Sequence, residues 1–275
     1  MKKGIDVTLG NKMKSPLRYP GGKTRACKKL EEILLRFTDL KKYDTLVSPF
    51  FGGGSFEFYL QERYGLNLLA NDKFEPLYNF WQQAKERNEE LCSEISKRLP
   101  VSKEQFYKYQ RELVSETLIP LEQATNYFII NRCSFNGSAL SGGFSEEASK
   151  KRFTKTSIDR IAKLDLRQVT FSNLDFTDFL QNRERSPTSL LFLDPPYHLE
   201  SGSRLYGKNG DLHEDFDDKG LFDVLTRSSS DWFLTYNDCP YVRELYKDYT
   251  IISLEWSYGM NKTKKSSEII VLNFH

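Results

Sequence analysis

No run of apolar residues in this 275-residue chain approaches the roughly 18 that a membrane-spanning helix needs, which excludes a helical membrane span. Cysteine is scarce. The four residues Cys27, Cys92, Cys133 and Cys239 lie far apart with no C-x-x-C pair. A disulfide framework or zinc site is therefore not expected, and the thiols read as reduced ones in a cytoplasmic protein. Histidine is scarcer still, with three residues and no metal-ligand spacing, so no metal is expected. Excess charge is also missing: 40 Lys and Arg against 38 Asp and Glu leave a net charge of +2. Any attraction to a polyanion must come from local basic patches. Met1–Lys14 is basic but has no apolar core, which argues against a signal peptide and for a flexible basic arm. Internal repeats and low-complexity tracts are absent. Aromatic residues are plentiful at 14%, which suits a large core or base-stacking surfaces without deciding between them.

Against this background one segment stands out, Leu191-Phe192-Leu193-Asp194-Pro195-Pro196-Tyr197. The run Leu190–Leu193 reads as a buried strand. A proline pair cannot continue the ladder, so the chain leaves the sheet there. Asp194 and Tyr197 then stand at the carboxyl end of a strand, where open α/β sheets bind their ligands. An acid and a ring beside a rigid main-chain carbonyl suit a flat, amine-bearing base.

A second constellation lies upstream. Thr45–Ser48 reads as a strand running into Pro49-Phe50-Phe51-Gly52-Gly53-Gly54-Ser55, then a helix from about Phe56 to Arg63. A strand over Leu66–Ala70 follows, ending in Asn71-Asp72. This order is the first half of a doubly wound nucleotide-binding unit, with Asp72 placed to accept ribose hydroxyls. The dinucleotide fingerprint itself fails, because Glu57 stands where its third glycine belongs. Gly22-Lys23-Thr24 imitates the end of a P-loop, but Leu17 occupies the position of that motif's first glycine. Tyr19 and Lys23 could instead hold the carboxylate of a small zwitterion.

The rest of the chain fits an interrupted α/β domain. Residues 23–37 alternate basic and apolar positions at helical spacing. Residues 76–128 are polar and helical with a break at Pro100, and Asn131–Phe153 shows no helical period. Strands return at Val169–Phe171, Ser189–Leu193, Trp232–Tyr236, Ile251–Trp256 and Glu268–Phe274. Short helices are expected at Thr177–Asn182, Leu221–Arg227 and Tyr241–Tyr246. The parse is a sheet domain of residues 15–75 and 166–275 with an insert at 76–165.

Tyr19-Pro20-Gly21-Gly22-Lys23, the Pro49–Ser55 loop, Asp72 and Asp194-Pro195-Pro196-Tyr197, in that order, resemble the motifs of Dam-type, D12-class DNA adenine-N6 methyltransferases (the α-group). The resemblance covers nearly the whole chain. It implies a Rossmann-like α/β sheet that binds S-adenosylmethionine and carries an inserted, mainly helical target-recognition domain. It implies Tyr19, Lys23, Phe51, Gly52, Gly54, Asp72, Asp175, Phe176 and Asp194 around the cofactor. Asp194, Pro195, Pro196 and Tyr197 would be the catalytic turn. In the insert, Asn131-Arg132-Cys133-Ser134-Phe135-Asn136-Gly137 is similar to the family's DNA-touching hairpin. Arg132, Phe135 and Asn136 would then meet DNA, with Phe135 wedged into the stack. Lys151, Arg152, Lys262, Lys264 and Lys265 would contact phosphates.

The implied reaction is methyl transfer to adenine N6 in double-stranded DNA after base flipping. A cognate restriction endonuclease, acting separately, is a compatible partner. GATC-specific members follow the hairpin with a Leu-x-Arg segment. Here Ser138-Ala139-Leu140-Ser141-Gly142-Gly143 follows, without the arginine that reads guanine, so a different target sequence is expected. Two alternatives stay open at this level, a cytosine-N4 methylase and a DNA-binding module that has lost catalysis.

Overall fold

The computed structural model describes residues 14–19, 21–114, 118–181, 186–197, 216–256 and 266–274. A seven-stranded sheet organises it, in the order β3-β2-β1-β4-β5-β7-β6. The strands are β1 (Thr45–Ser48), β2 (Asn67–Asn71), β3 (Val169–Ser172), β4 (Ser189–Leu193), β5 (Asp231–Asn237), β6 (Thr250–Trp256) and β7 (Ser266–Leu272). The first five pair in parallel, and β7 runs antiparallel between β5 and β6. β4 is buried at every position, as a strand covered on both faces must be. Val47 of β1 pairs with Leu69 on one side and Leu191 on the other. The order reverses at β1, so a crevice opens beyond the carboxyl ends of β1 and β4.

Helix α1 (Cys27–Leu34) turns Leu30, Ile33 and Leu34 inward. Sequence spacing predicts one helix over 23–37, but the chain forms a short 3-10 turn at Lys23–Arg25 before α1. The cause is Lys23, which is drawn inside and is only 4% exposed. Helix α2 (Ser55–Tyr64) connects β1 to β2; Gly54 and Gly65 flank it in left-handed conformation.

Among the described residues, six helices lie between β2 and β3: α3 (Glu75–Glu86), α4 (Asn88–Lys97), α5 (Lys103–Glu112), α6 (Pro120–Cys133), α7 (Glu146–Lys151) and α8 (Lys155–Ala162). α6 is buried nearly all round and packs against α3, α4, α5 and α7. The expectation of no helix over Asn131–Phe153 is corrected here. α6 continues to Cys133, and residues 146–151 form α7. α7 buries only Ala148, so it shows no apolar period. It stands on the Ser145 cap and the pairs Glu146–Lys150 and Glu147–Lys151. Insert and sheet share one core. α3 sends Trp81 under the glycine loop, and its indole nitrogen donates to the Gly52 carbonyl at 3.0 Å. Helices α9 (Phe176–Gln181), α10 (Asp218–Thr226) and α11 (Pro240–Leu245) complete the described fold. No described helix is long and apolar enough to cross a membrane.

Candidate active site

A cavity of about 830 Å³ opens at the carboxyl ends of β1, β2 and β4. Its wall combines Tyr19, Gly21, Gly22 and Lys23, the loop after β1 with the first turn of α2, Asp72, Asp175-Phe176 and the 194–197 turn. The topology brings these distant segments to one sheet edge.

The glycine loop is shaped by two close approaches. Gly52 and Gly54 have φ of 51° and 64°, which only glycine adopts readily. A Cβ on Gly52 would lie 2.8 Å from Cε1 of Tyr19, and one on Gly54 would lie 2.4 Å from Cζ of Phe51. The Phe51 ring turns into the core against Phe58, Trp81 and Phe171. Asp72 fastens the loop to β2. Its Oδ2 accepts from the Gly52 amide at 2.9 Å, and its Oδ1 accepts from that of Phe74 at 3.0 Å. Burial pushes its pKa up to about 6 against those two amides. At the other end of the cavity Phe50 packs against Phe176 and Phe216, with ring centres 5.5 and 5.6 Å away. Asp175 caps that side, accepting from the Thr177 amide and pairing with Lys73 at 2.9 Å.

The 194–197 turn is held from three sides. Lys23 Nζ donates to Asp194 Oδ1 at 2.8 Å and to the Tyr197 hydroxyl at 2.7 Å. The hydroxyl of Thr235, on neighbouring β5, donates to the same Oδ1 at 2.7 Å. Among the described residues Oδ2 carries no hydrogen bond, so the carboxylate presents one committed oxygen and one free one. The Tyr197 ring stacks on Tyr236 at 5.7 Å, and the Tyr236 hydroxyl bonds Asp218 and the Pro196 carbonyl.

Beneath the turn, Glu57 is buried and accepts from the Ser48 hydroxyl at 2.8 Å. Burial, with the Asp194 charge adding to it, pushes its pKa up to about 8. The folded protein therefore holds a proton on Glu57 that the unfolded chain releases above its ordinary carboxylate range. Stability from this group is full at low pH and is lost as pH rises from about 4.5 to 8. Thermal melts between pH 5 and 8.5 should show Tm falling less with pH in Glu57→Gln than in the parent. Parallel curves would mean that Glu57 is ionised throughout.

The insert reaches the cavity through Tyr127 and residues 137–140. Asn131, fully buried, accepts from the Arg18 amide at 2.9 Å. Its amide nitrogen donates to the carbonyls of Arg18 at 2.6 Å and Gly137 at 2.8 Å. The Arg18 guanidinium donates to the carbonyls of Ser134 and Phe135 at 2.7 and 2.6 Å. The stretch that leads into Tyr19–Lys23 is thus stitched to the hairpin. At its tip Phe135 is 63% exposed, and Asn136 is exposed beside it. Arg132 points inward, its guanidinium spent on the carbonyls of Arg152 and Pro16. Lys151 pairs with Glu147, and Arg152 is exposed. Lys262, Lys264 and Lys265 lie outside the described residues. The segment in place of Leu-x-Arg is held by Gln110, whose side chain donates to the carbonyls of Ala139, Leu140 and Gly142.

Sequence reasoning missed Phe50, Glu57, Thr235, Tyr236, Asn131 and Arg18. Phe50 and Asn131 stood inside motifs already singled out, and Arg18 directly precedes one. Thr235 and Tyr236 had no local signal, because only the β4–β5 pairing brings them to Asp194 and Tyr197.

The sequence profile of the D12 class N6 adenine-specific DNA methyltransferases matches residues 19–260. A Type II methyltransferase, M.MjaIII of Methanocaldococcus jannaschii, is 24% identical over 202 residues, 66% of this chain and 68% of that protein. The family match takes in the glycine-lysine segment, the loop after β1, the insert and the turn after β4. The chain belongs to the D12 class N6 adenine-specific DNA methyltransferase family and is a site-specific DNA adenine methyltransferase.

Proposed function

We propose that the methyl donor is S-adenosylmethionine and that the target adenine is flipped out of the duplex onto the 194–197 turn. The observation that carries this reading is the fixed Asp194 carboxylate, facing the cavity that the glycine loop and Asp72 also line. The cavity fits the donor. Its volume of about 830 Å³ suits a nucleoside-sized ligand. Asp72 offers acceptors for ribose hydroxyls and the Phe50–Phe176–Phe216 group a stacking surface for a purine, while the Lys23 ammonium, expected to meet the donor's carboxylate, is instead given to Gly21, Asp194 and Tyr197. When bound, S-adenosylmethionine supplies an electrophilic methyl group on a sulfonium.

The protein's task is to make the adenine amine nucleophilic. Its lone pair is delocalised into the ring. Asp194 Oδ2 and the Pro195 carbonyl would each accept one N6–H, drawing the lone pair out of conjugation and aiming it along one direction. Placement and fixed dipoles then carry the rate. Tyr197 would stack on the base, worth roughly 1–3 kcal/mol, and Phe135 would fill the gap left in the duplex. The altered segment after Gly137 supports a target sequence other than GATC. Pairing with a restriction endonuclease is compatible with this reading.

Nucleosides from DNA of cells expressing this chain should contain N6-methyladenine by mass spectrometry. Methylation-sensitive sequencing should place it in one short motif. N4-methylcytosine instead, or N6-methyladenine at GATC, would overturn the corresponding part of the proposal.

A further inference from the structure

We propose that Glu268 is a positioning residue for methyl transfer: it shares the buried Lys23 ammonium with Asp194, and so leaves the Asp194 carboxylate negative charge to offer the target amine. This rests on the reading that Asp194 meets the adenine amine and that S-adenosylmethionine is the donor.

Topology brings Glu268 to the site. β7 runs antiparallel to β5, so its first residues lie at the carboxyl end of β5. Glu268 pairs with Asn237 and Ile270 with Thr235. The two-residue alternation therefore puts Glu268 on the sheet face from which Thr235 holds Asp194. Glu268 is 5% exposed, and its Oε2 stands 4.0 Å from Lys23 Nζ. Lys23 already donates to the Gly21 carbonyl, to Asp194 and to Tyr197, three bonds for the three hydrogens of an ammonium. At 4.0 Å, beyond hydrogen-bond reach, Glu268 meets Lys23 as charge.

Lys23 and Asp194 are already matched one to one. Burying a second carboxylate beside a matched pair costs desolvation that the fold does not need. The reaction does need it. N6 uses its lone pair to bond the methyl carbon as the carbon–sulfur bond breaks, the sulfur keeping that bond's electrons. N6 then carries a positive charge until one of its protons passes to Asp194 Oδ2, the nitrogen retaining the N–H pair. Lys23, bonded to the other oxygen of the same carboxylate, opposes both events. Glu268 offsets it. One ammonium and two carboxylates leave one net negative charge, equal and opposite to that of a sulfonium. Once Asp194 holds the proton, Glu268 remains as the counter-ion of Lys23. Glu57, beneath the turn, keeps its proton near neutral pH and adds no charge.

The test is a double-mutant cycle of single-turnover rates, with cofactor and duplex bound. Glu268→Gln should slow transfer by about thirtyfold, and Glu268→Asp, which keeps the charge, should stay within about threefold of the parent. In a Lys23→Met background Glu268→Gln should cost less than about threefold, because the charge it offsets is gone. Calorimetry gives a readout apart from turnover. Glu268→Gln should weaken the cationic S-adenosylmethionine about tenfold and the neutral S-adenosylhomocysteine hardly at all, with duplex binding unchanged. Equal losses of rate in the two backgrounds, or equal losses of affinity for the two ligands, would overturn the proposal. So would a Gln variant that does not fold, which would assign Glu268 to the sheet alone. A parent that binds no S-adenosylmethionine or transfers no methyl group would bring down the underlying reading instead.

Discussion

Asp194→Asn is expected to lower methyl transfer by about a thousandfold, with DNA and S-adenosylmethionine binding nearly unchanged. Lys23 and Thr235 both donate to Oδ1, at 2.8 and 2.7 Å, so an amide at 194 must turn its oxygen toward them. Its NH2 group then takes the place of Oδ2. A donor there meets the N6–H donors of the target base and cannot draw out the lone pair. The amide is a cleaner test than Asp194→Ala, which takes from the buried Lys23 ammonium its nearer acid and leaves Glu268 at 4.0 Å. Without the nearer acid one tie between Lys23 and the 194–197 turn is lost, so a fall in rate in the alanine variant would mix lost chemistry with a displaced turn. Single-turnover kinetics with the cofactor and duplex bound would measure the effect. A rate within about tenfold of the parent would mean that Asp194 does not touch the reacting amine.

The same geometry gives Thr235 a positioning role. Thr235→Val keeps the shape and removes the donor, freeing Asp194 to rotate about its side chain. A fall in turnover with unchanged affinities, restored in Thr235→Ser, would distinguish orientation from folding.

How far the sequence foretold this site depends on what each residue answers to. β4 was legible to the residue, because a fully apolar run closed by two prolines has one physical reading. The glycine loop was legible because left-handed backbone needs glycine. Lys23 was legible as a site residue but not in direction. The expectation aimed its ammonium at the carboxylate of a small zwitterion, and Asp194, far away in sequence, takes it instead. Arg132 shows the converse. A basic residue in a DNA-facing motif reads as a surface contact, yet its side chain is used to bind the carbonyls that shape the hairpin. Local propensity has no access to either outcome, since both are set by tertiary hydrogen bonds.

Gly137→Ala is expected to reduce kcat/KM for DNA about a hundredfold while leaving S-adenosylmethionine affinity nearly unchanged. Gly137 has a φ of 82°, and a Cβ there would lie 2.4 Å from the Arg18 carbonyl oxygen. That oxygen also accepts from Asn131 at 2.6 Å, so it cannot retreat without breaking the stitch. The left-handed backbone adds about 1–2 kcal/mol for any residue with a side chain. The hairpin must therefore lift away from residue 18. Phe135 then loses its fixed distance from the 194–197 turn, and wedge and catalytic carboxylate no longer act on one nucleotide. With 2-aminopurine at the target position, the parent should brighten as the base leaves the stack, and the variant should stay dark at saturating protein. The residues proposed to hold the cofactor, Asp72, the glycine loop and the Phe50 group, form no hydrogen bond with Gly137, so calorimetry should separate the two sites. An alanine variant that flips the base as the parent does would mean that the stitch is not what aligns them.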